Sequence, residues 1–403
     1  MKVTVFYGYS ADNAGDMAIT VGVLDLLNER FDEISIFSRY YDGSISYEQS
    51  KVYLENKYNN LKVLPCPFIL DRTAGVIKSF YNYSYSCLKY FGLISNDSVQ
   101  KEIDESSLVL FNGGNLLRCT SLVDFLRIKA LFHPFKYASK KGVPYIVLPQ
   151  STSGVNWYGH KELERMLDNA NAVYIREEKS FNKLESSFPN ANILRSCDAA
   201  LFIEFQRENR NCYFKGYNFD NKTVAITIRA FTLGDLKPFG EDKMKSICKR
   251  VIDFVVQASF EGYSCTFVIQ CEKDRTISER IISSLHDMHS INCKTFSSND
   301  PVELGLFYKN CDLLFGMRLH SIILAVANGT PCYGYFDESW GLKNPGFMNM
   351  FDLSFEFIDS SVEKESLNIS DYVESNGHVL NKFKNITEGY KDDIIHQVMN
   401  SLV

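Results

Sequence analysis

Short apolar runs, each cut off by Gly, Pro or a polar cluster, alternate along the chain with longer stretches whose apolar residues recur at helical spacing. Residues 3–7 alternate and are β-rich, a polar turn occupies 8–16, and Ile19, Val23, Leu24 and Leu27 then mark one face of a helix over 17–28. A second strand is expected at 34–37, and this strand–turn–helix–strand opening predicts a parallel sheet. Strands follow at 61–64, 108–111, 145–148 and 173–175, with helices over 74–91 and 122–140 and a helix start at 176–180. Gly142 is expected to stop the second of these helices, and Pro144 to open the next strand. The series closes near 197–200, and a polar, aromatic stretch at 207–221 reads as a linker or an edge hairpin. A second series then runs strand 224–228, helix 241–260, strand 265–270, helix 277–286, helix 302–308, strand 313–315, helix 322–327 and strand 332–336. The tail from 361 is polar, with its clearest helix over 390–402.

A chain of 403 residues is too long for one ordinary core. The expected organisation is a Rossmann-like N-terminal domain over 1–205, a Rossmann-like C-terminal domain over 222–360, and a helical tail over 361–403 able to pack back on the N-terminal domain. That is an α/β, GT-B-like plan: two Rossmann-type parallel-sheet domains facing a central cleft, with a single long sheet as the alternative. The chain is 45% hydrophobic and 23% charged, as soluble globular proteins are. Its net charge of -6 argues against a nucleic-acid partner, whose footprint on a protein is basic, but leaves room for a local anion pocket. No signal peptide and no membrane span are expected. The 11 cysteines form no CxxC pair and read as reduced, mostly buried thiols of a cytoplasmic protein.

Candidate chemistry gathers where strands are expected to end. After the strand at 313–315, Gly316 breaks the run and Arg318 and His320 follow at the mouth of an apolar helix. Arg229 ends the strand at 224–228. Ligands of open α/β sheets bind at strand C-ends, and two guanidiniums with an imidazole there make an anion pocket with a proton donor. Each residue alone reads first as a surface ion-pair or helix-start residue; the joint placement favours the pocket. On the other side, Asn13, Gly15 and Asp16 follow the first strand, where free N–H groups attract an anion or a sugar hydroxyl. The alternative is that Asp16 merely caps the helix. Gly113, Gly114 and Asn115 follow the strand at 108–111 and suit either a ligand lying on the backbone or a tight turn, and Gln150 opens a polar loop over 150–154. Arg176 and Glu178 read as a structural ion pair, and Asp198 as a cap or support. The aromatic stretch at 80–91 reads as core or a lid, with a membrane surface or lipid carrier as the further option. Asp312 and Asp337 stand alone, Asp235 and Asp242 look solvated, and no GxSxG, HExxH, Walker or DxD pattern occurs, so no metal is demanded.

Taken together, GYSADNAGD, LVLFNGGNLL, GVPYIVLPQSTSG, AVYIREEKSFNKL, CDAAL, VAITIRAF and CDLLFGMRLHSIILAVANGTP resemble the polysaccharide pyruvyl transferase family. The pieces come in family order and span nearly the whole chain, although QSTSG departs from the family's QGxGP-like form. The resemblance implies a GT-B-like enzyme that moves pyruvate from phosphoenolpyruvate, its co-substrate, onto two hydroxyls of a sugar as a cyclic ketal, with no cofactor. It implies Arg229, Arg318, Leu319 and His320 as the donor-binding residues and His320 as the catalytic acid. Asn13, Gly15, Asp16, Gly113, Gly114, Asn115 and Gln150 are then the acceptor-side or cleft-lining set. The expected partners are phosphoenolpyruvate and a sugar or lipid-linked oligosaccharide, in the cytoplasm, with a peripheral contact at the inner membrane face left open. The rival readings are a GT-B glycosyltransferase with a nucleotide-sugar donor and a non-catalytic carbohydrate-binding protein.

Overall fold

The computed structural model describes every residue except 68–75, 153, 206–213, 215, 218, 220, 233–236, 342, 359–366 and 403. Thirteen strands are defined among the described residues: β1 (Lys2–Gly8), β2 (Glu33–Ser38), β3 (Leu61–Leu64), β4 (Leu108–Phe111), β5 (Tyr145–Gln150), β6 (Ala172–Ile175), β7 (Ile193–Arg195), β8 (Thr223–Thr227), β9 (Ser264–Ile269), β10 (Lys294–Ser297), β11 (Leu313–Gly316), β12 (Cys332–Phe336) and β13 (Phe355–Phe357). The first seven form one sheet in the order β3-β2-β1-β4-β5-β6-β7, and the last six a second in the order β10-β9-β8-β11-β12-β13. All pairings are parallel. Both faces of such a sheet are covered by crossover helices, so the central strands are continuous apolar runs; every residue of β1, β4, β8 and β11 is buried.

In each sheet the chain runs outward from a first strand and then returns to that strand's other side. The order therefore reverses between β1 and β4, and again between β8 and β11. Loops leaving adjacent strands at such a point diverge, which opens a crevice at the C-terminal edge. The first compact unit comprises 1–12, 16–203 and 387–403, and the second 13–15 and 204–386. The last helix, Val379–Asn400, thus ends in the first unit, where Ile394 and Val398 are buried and Tyr174 Oη donates to Asp393 O at 3.3 Å.

The first unit's core is aromatic. Phe6 stacks on Phe37 with centroids 4.7 Å apart, and Phe111 meets Phe135 edge-on at 5.1 Å. Phe135 belongs to the helix Leu122–Lys141, capped at its start by Ser121 Oγ accepting from Asp124 N, and ended as expected by Gly142 at φ 72°. In the second unit Ile247, Val251, Phe254 and Val255 bury one face of the helix Glu241–Phe260, and Phe254 stacks on Phe315 of β11 at 4.3 Å. Most of the expected linker at 207–221 lies outside the described residues, as do Ser153, Asp235 and the start of the tail at 361. Phe214, Tyr217 and Phe219 are described and pack around Phe296 and Phe307. The ten described cysteines are all free thiols. Among the described residues no helix is long and apolar enough to cross a membrane.

One buried imidazole ties this fold to pH. Burial pushes the His133 pKa down to about 4, helped by the charges of Lys136, Lys89 and Lys140, so it is neutral in the native protein. The unfolded chain protonates it near its ordinary pKa of about 6.5. Its contribution is therefore complete above that value and is lost as pH falls toward the folded one. Between pH 7 and pH 5 the wild type should lose about 2 kcal/mol through this group. Urea midpoints at the two pH values check this: His133→Leu should show a shallower loss than wild type, and an equal loss would mean His133 is not responsible.

Candidate functional site

In the second unit the edge of interest lies at the reversal between β8 and β11. Thr227 and Gly316 are register partners, and Met317 N donates to Thr227 O at 3.1 Å. Arg229 and Arg318 each lie two residues past these partners, so they leave neighbouring strands at matching height. Both are buried. The Arg229 guanidinium carbon sits 4.5 Å from the centre of the Trp340 ring, and its Nη2 donates to Thr232 O at 3.2 Å. Trp340 is in turn held by Nε1 donating to Phe231 O at 3.0 Å, in a short 3₁₀ turn that Asp337 caps through Ser339 N. Asp337, expected to stand alone, also pairs with Lys243; burial opposes its charge, but Lys243 and Ser339 win and hold its pKa below the usual range.

Arg318 is the N-cap residue of the helix Leu319–Ala327, and its fork grips a carboxylate that sequence reasoning missed. Nε donates to Asp274 Oδ2 at 2.5 Å and Nη2 to Asp274 Oδ1 at 2.8 Å, with both side chains nearly inaccessible. Asp274 ends the 3₁₀ turn Glu272–Asp274 that follows β9. Gln270, just past β9, accepts from Ser321 Oγ on the Leu319–Ala327 helix and donates through Nε2 to Asn13 Oδ1 at 3.3 Å. His320 and Leu319 are half-buried. The segment 13–15, which belongs to this unit, lies against His320: a Cβ on Gly15 would come within 2.8 Å of His320 Nδ1 and would also strike the Gln270 amide, so only glycine fits. Asn13 rather than Asp16 takes the capping role, its Oδ1 accepting from Gly15 N at 3.1 Å. Two further buried groups at this edge have no hydrogen-bond partner among the described residues: Thr227 Oγ1, and both amide atoms of Asn344 in the helix Lys343–Met350.

In the first unit, Tyr7, one residue before the end of β1, has φ 76°, an uncommon conformation for a residue with a side chain; its buried ring is anchored by Oη donating to Leu131 O at 2.7 Å. Beyond it, the Tyr9 ring carries the Arg39 guanidinium at 4.7 Å, and a Cβ on Gly114 (φ 135°) would collide with Tyr9 Oη. Tyr9 falls within the GYSADNAGD stretch but is not among the candidates there, and Arg39 lies in none of the motif stretches. Asn115 Oδ1 and Asn112 Oδ1 are buried without partners among the described residues. Gln150 corrects an expectation. It does not line the edge but is fully buried, with Oε1 accepting from Leu116 N at 3.0 Å and Nε2 donating to Asn112 O, so it braces the 112–116 loop. Gly113 is likewise packed, where a Cβ would press on Pro149 O at 3.0 Å. The expected Arg176–Glu178 pair is also corrected: Arg176 bonds to Asp198 and to Ser151 Oγ, whereas Glu178 pairs with Arg195. Asp198 caps the turn Ala199–Phe202 as well. Among the described residues no three His, Cys, Asp or Glu side chains gather as a metal site.

Comparison with known proteins places this architecture. The polysaccharide pyruvyl transferase family pattern matches residues 13–335. The amylovoran biosynthesis protein AmsJ of Erwinia amylovora is 24% identical, over 90% of each chain. Among solved structures, a UDP-GlcNAc 2-epimerase from Neisseria meningitidis bound to UDP-GlcNAc superposes with a TM-score of 0.59 at 13% identity, over 99% of this chain and 100% of that one. LpCGTa in complex with UDP gives 0.56 at 9% identity, over 100% and 99%. These structures share the GT-B-like fold, and at such identities the likeness is one of fold. With the family pattern covering residues 13–335, which include β4, β8, β11 and the Arg318–His320 segment, this chain belongs to the polysaccharide pyruvyl transferase family.

Proposed function

We propose that the protein transfers the pyruvyl group of phosphoenolpyruvate to two hydroxyls of one sugar in a cell-surface polysaccharide or its lipid-linked precursor, forming a cyclic ketal and releasing phosphate. The observation that carries this reading is the pair of buried arginines leaving β8 and β11 at matching height, with His320 two residues beyond the second. Phosphoenolpyruvate brings a phosphate and a carboxylate, so it calls for two fixed cations. Arg229, backed by the Trp340 ring, and Arg318, oriented by Asp274, supply them. Leu319 supplies an apolar contact beside them.

His320, as imidazolium, donates a proton to C3 of the enol, which becomes the methyl group. The electron deficiency at C2 is met by the first sugar hydroxyl. The C2–O bond to phosphorus breaks with the electron pair going to phosphate, which the arginines receive. The second hydroxyl then closes the ketal at C2. Of the two hydroxyl protons lost, one restores His320 and the other leaves with phosphate, so the step balances without a cofactor. The acceptor-side residues are Asp16 and Asn115 in the first unit, with Gly113, Gly114 and Gln150 shaping the loop beneath, and Asn13 and Gly15 in the second unit beside His320. The reaction takes place in the cytoplasm, at the inner face of the membrane where the acceptor is lipid-linked.

A ligand that binds only the native state raises its stability by about 2.7 kcal/mol at a hundredfold excess over Kd. Phosphoenolpyruvate should therefore raise the melting temperature, and UDP- or GDP-sugars should not. The reverse pattern would replace this reading with nucleotide-sugar glycosyl transfer. Incubation with phosphoenolpyruvate and a panel of lipid-linked oligosaccharides, read as product mass and phosphate release, identifies the acceptor.

A further inference from the structure

One face of the first unit is built from three neighbouring helices, Val76–Tyr90, Leu122–Lys141 and Trp157–Leu167. It exposes large apolar side chains that a monomeric surface ordinarily hides. Trp157 is 85% exposed, Leu93 72%, Leu122 69% and Phe91 60%. Phe91 and Trp157 belong to one run of rings: Phe91, Phe125 and Tyr90 surround the Lys129 ammonium at 5.4, 4.8 and 4.5 Å, Phe125 meets Tyr158 edge-on at 5.4 Å, and Tyr158 meets Trp157 at 5.4 Å; Leu93 follows Phe91 by two residues and Leu122 precedes Phe125 by one helical turn. A contiguous apolar patch of this kind marks an interaction site.

Its charge identifies the partner. In a chain with net charge -6, cations collect around this patch. Lys129 and Lys136 both have their pKa lowered, first by burial and then by neighbouring cations, Arg165 and Lys136 acting on Lys129 and Lys140 and Arg165 on Lys136. Lys136 lies over the Tyr90 ring at 4.2 Å, and Lys89 over Tyr85 at 4.9 Å. Glu162, the acid within the patch, is already engaged by Lys129 at 2.9 Å and Arg165 at 3.6 Å. A second copy of the chain is a poor occupant, since a two-fold contact would set this cationic face against itself. Aromatic and leucine side chains ringed by lysines match the boundary between anionic headgroups and acyl chains.

We propose that this face docks on an anionic lipid bilayer, with Trp157, Leu122, Phe91 and Leu93 entering the headgroup–acyl boundary and Lys136, Lys140 and Arg165 among the lipid phosphates. It deepens the proposed function by placing the enzyme where a lipid-linked acceptor resides, and rests on that reading only for this biological sense. Vesicle binding scores the contact whether or not pyruvyl transfer occurs.

The test is sedimentation of the full chain with phosphatidylcholine vesicles and with vesicles also containing phosphatidylglycerol. Trp157 is one of two tryptophans and Trp340 is buried, so a blue shift of emission reports insertion of Trp157. Anionic vesicles should bind the protein about tenfold or more tightly than neutral ones, with a blue shift. Lys136→Glu/Lys140→Glu should weaken that binding by about tenfold or more, as expected for removing two cations near a charged membrane. Trp157→Ala/Leu122→Ser should weaken it too and abolish the shift. These positions are exposed, so melting temperatures should match wild type. Equal binding to neutral and anionic vesicles, unchanged binding in both double variants, or a solution dimer that the same substitutions dissociate would overturn the proposal.

Discussion

His320→Ala should lower the rate of pyruvyl transfer by roughly 10²–10⁴-fold, the range over which a positioned general acid acts, while phosphoenolpyruvate still raises the melting temperature. The two effects should separate because the proposed mechanism assigns charge recognition to Arg229 and Arg318 and the proton to the imidazole. The fold should tolerate the change. His320 is the second residue of the helix Leu319–Ala327, is only half-buried, and gives way to the best helix former. His320→Gln keeps a polar side chain of similar reach but no acidic proton, and should be as slow as the alanine variant. In deuterated water the wild-type product should carry one solvent deuteron in its pyruvyl methyl group. Near-normal turnover by a folded His320→Ala protein would remove the acid role. Loss of the phosphoenolpyruvate-induced stabilisation together with turnover would make His320 a binding residue instead.

The central strands were legible because burial on both faces writes itself as an unbroken apolar run. The apolar runs at 108–111 and 313–315 form all of β4 and most of β11. What escaped carries little such signal. β10 (KTFS) and β13 (FEF) are short edge strands, with one buried residue in the first and none in the second. The helix Ile45–Lys57 buries only Tyr47, Ser50 and Leu54. The helix Trp157–Leu167 begins with an exposed tryptophan and carries Gly159, which the fold needs because a Cβ there would strike Cys119 at 2.5 Å. At the site, strand-end position picked out Arg229, Arg318 and His320, but not what orients them. Asp274 lies 44 residues from Arg318 and Trp340 111 from Arg229, in loops whose composition resembles any other polar turn. Gln150 was misread for a related reason: a polar residue after a buried strand looks the same in sequence whether it faces a ligand or braces the loop beside it.

Asp274→Ala should destabilise the second unit by about 3–5 kcal/mol, because it leaves the Arg318 charge buried without the carboxylate that balances it. The pair is well placed for so large an effect: two bonds at 2.5 and 2.8 Å, with side chains 7% and 3% exposed. Most of that loss reflects the stranded charge rather than the net worth of the pair, so removing both partners should cost less. Asp274→Leu/Arg318→Met is expected to recover much of the stability lost in Asp274→Ala. Function should not follow stability. If Asp274 fixes the direction of the Arg318 guanidinium, the KM for phosphoenolpyruvate should rise in Asp274→Ala, and the stable double variant should show no phosphoenolpyruvate-induced rise in melting temperature at all. Urea midpoints, steady-state kinetics and melting curves on the three proteins decide the matter. Wild-type stability in Asp274→Ala would mean that Arg318 is held by other groups. A double variant that still binds phosphoenolpyruvate normally would move the donor site away from Arg318.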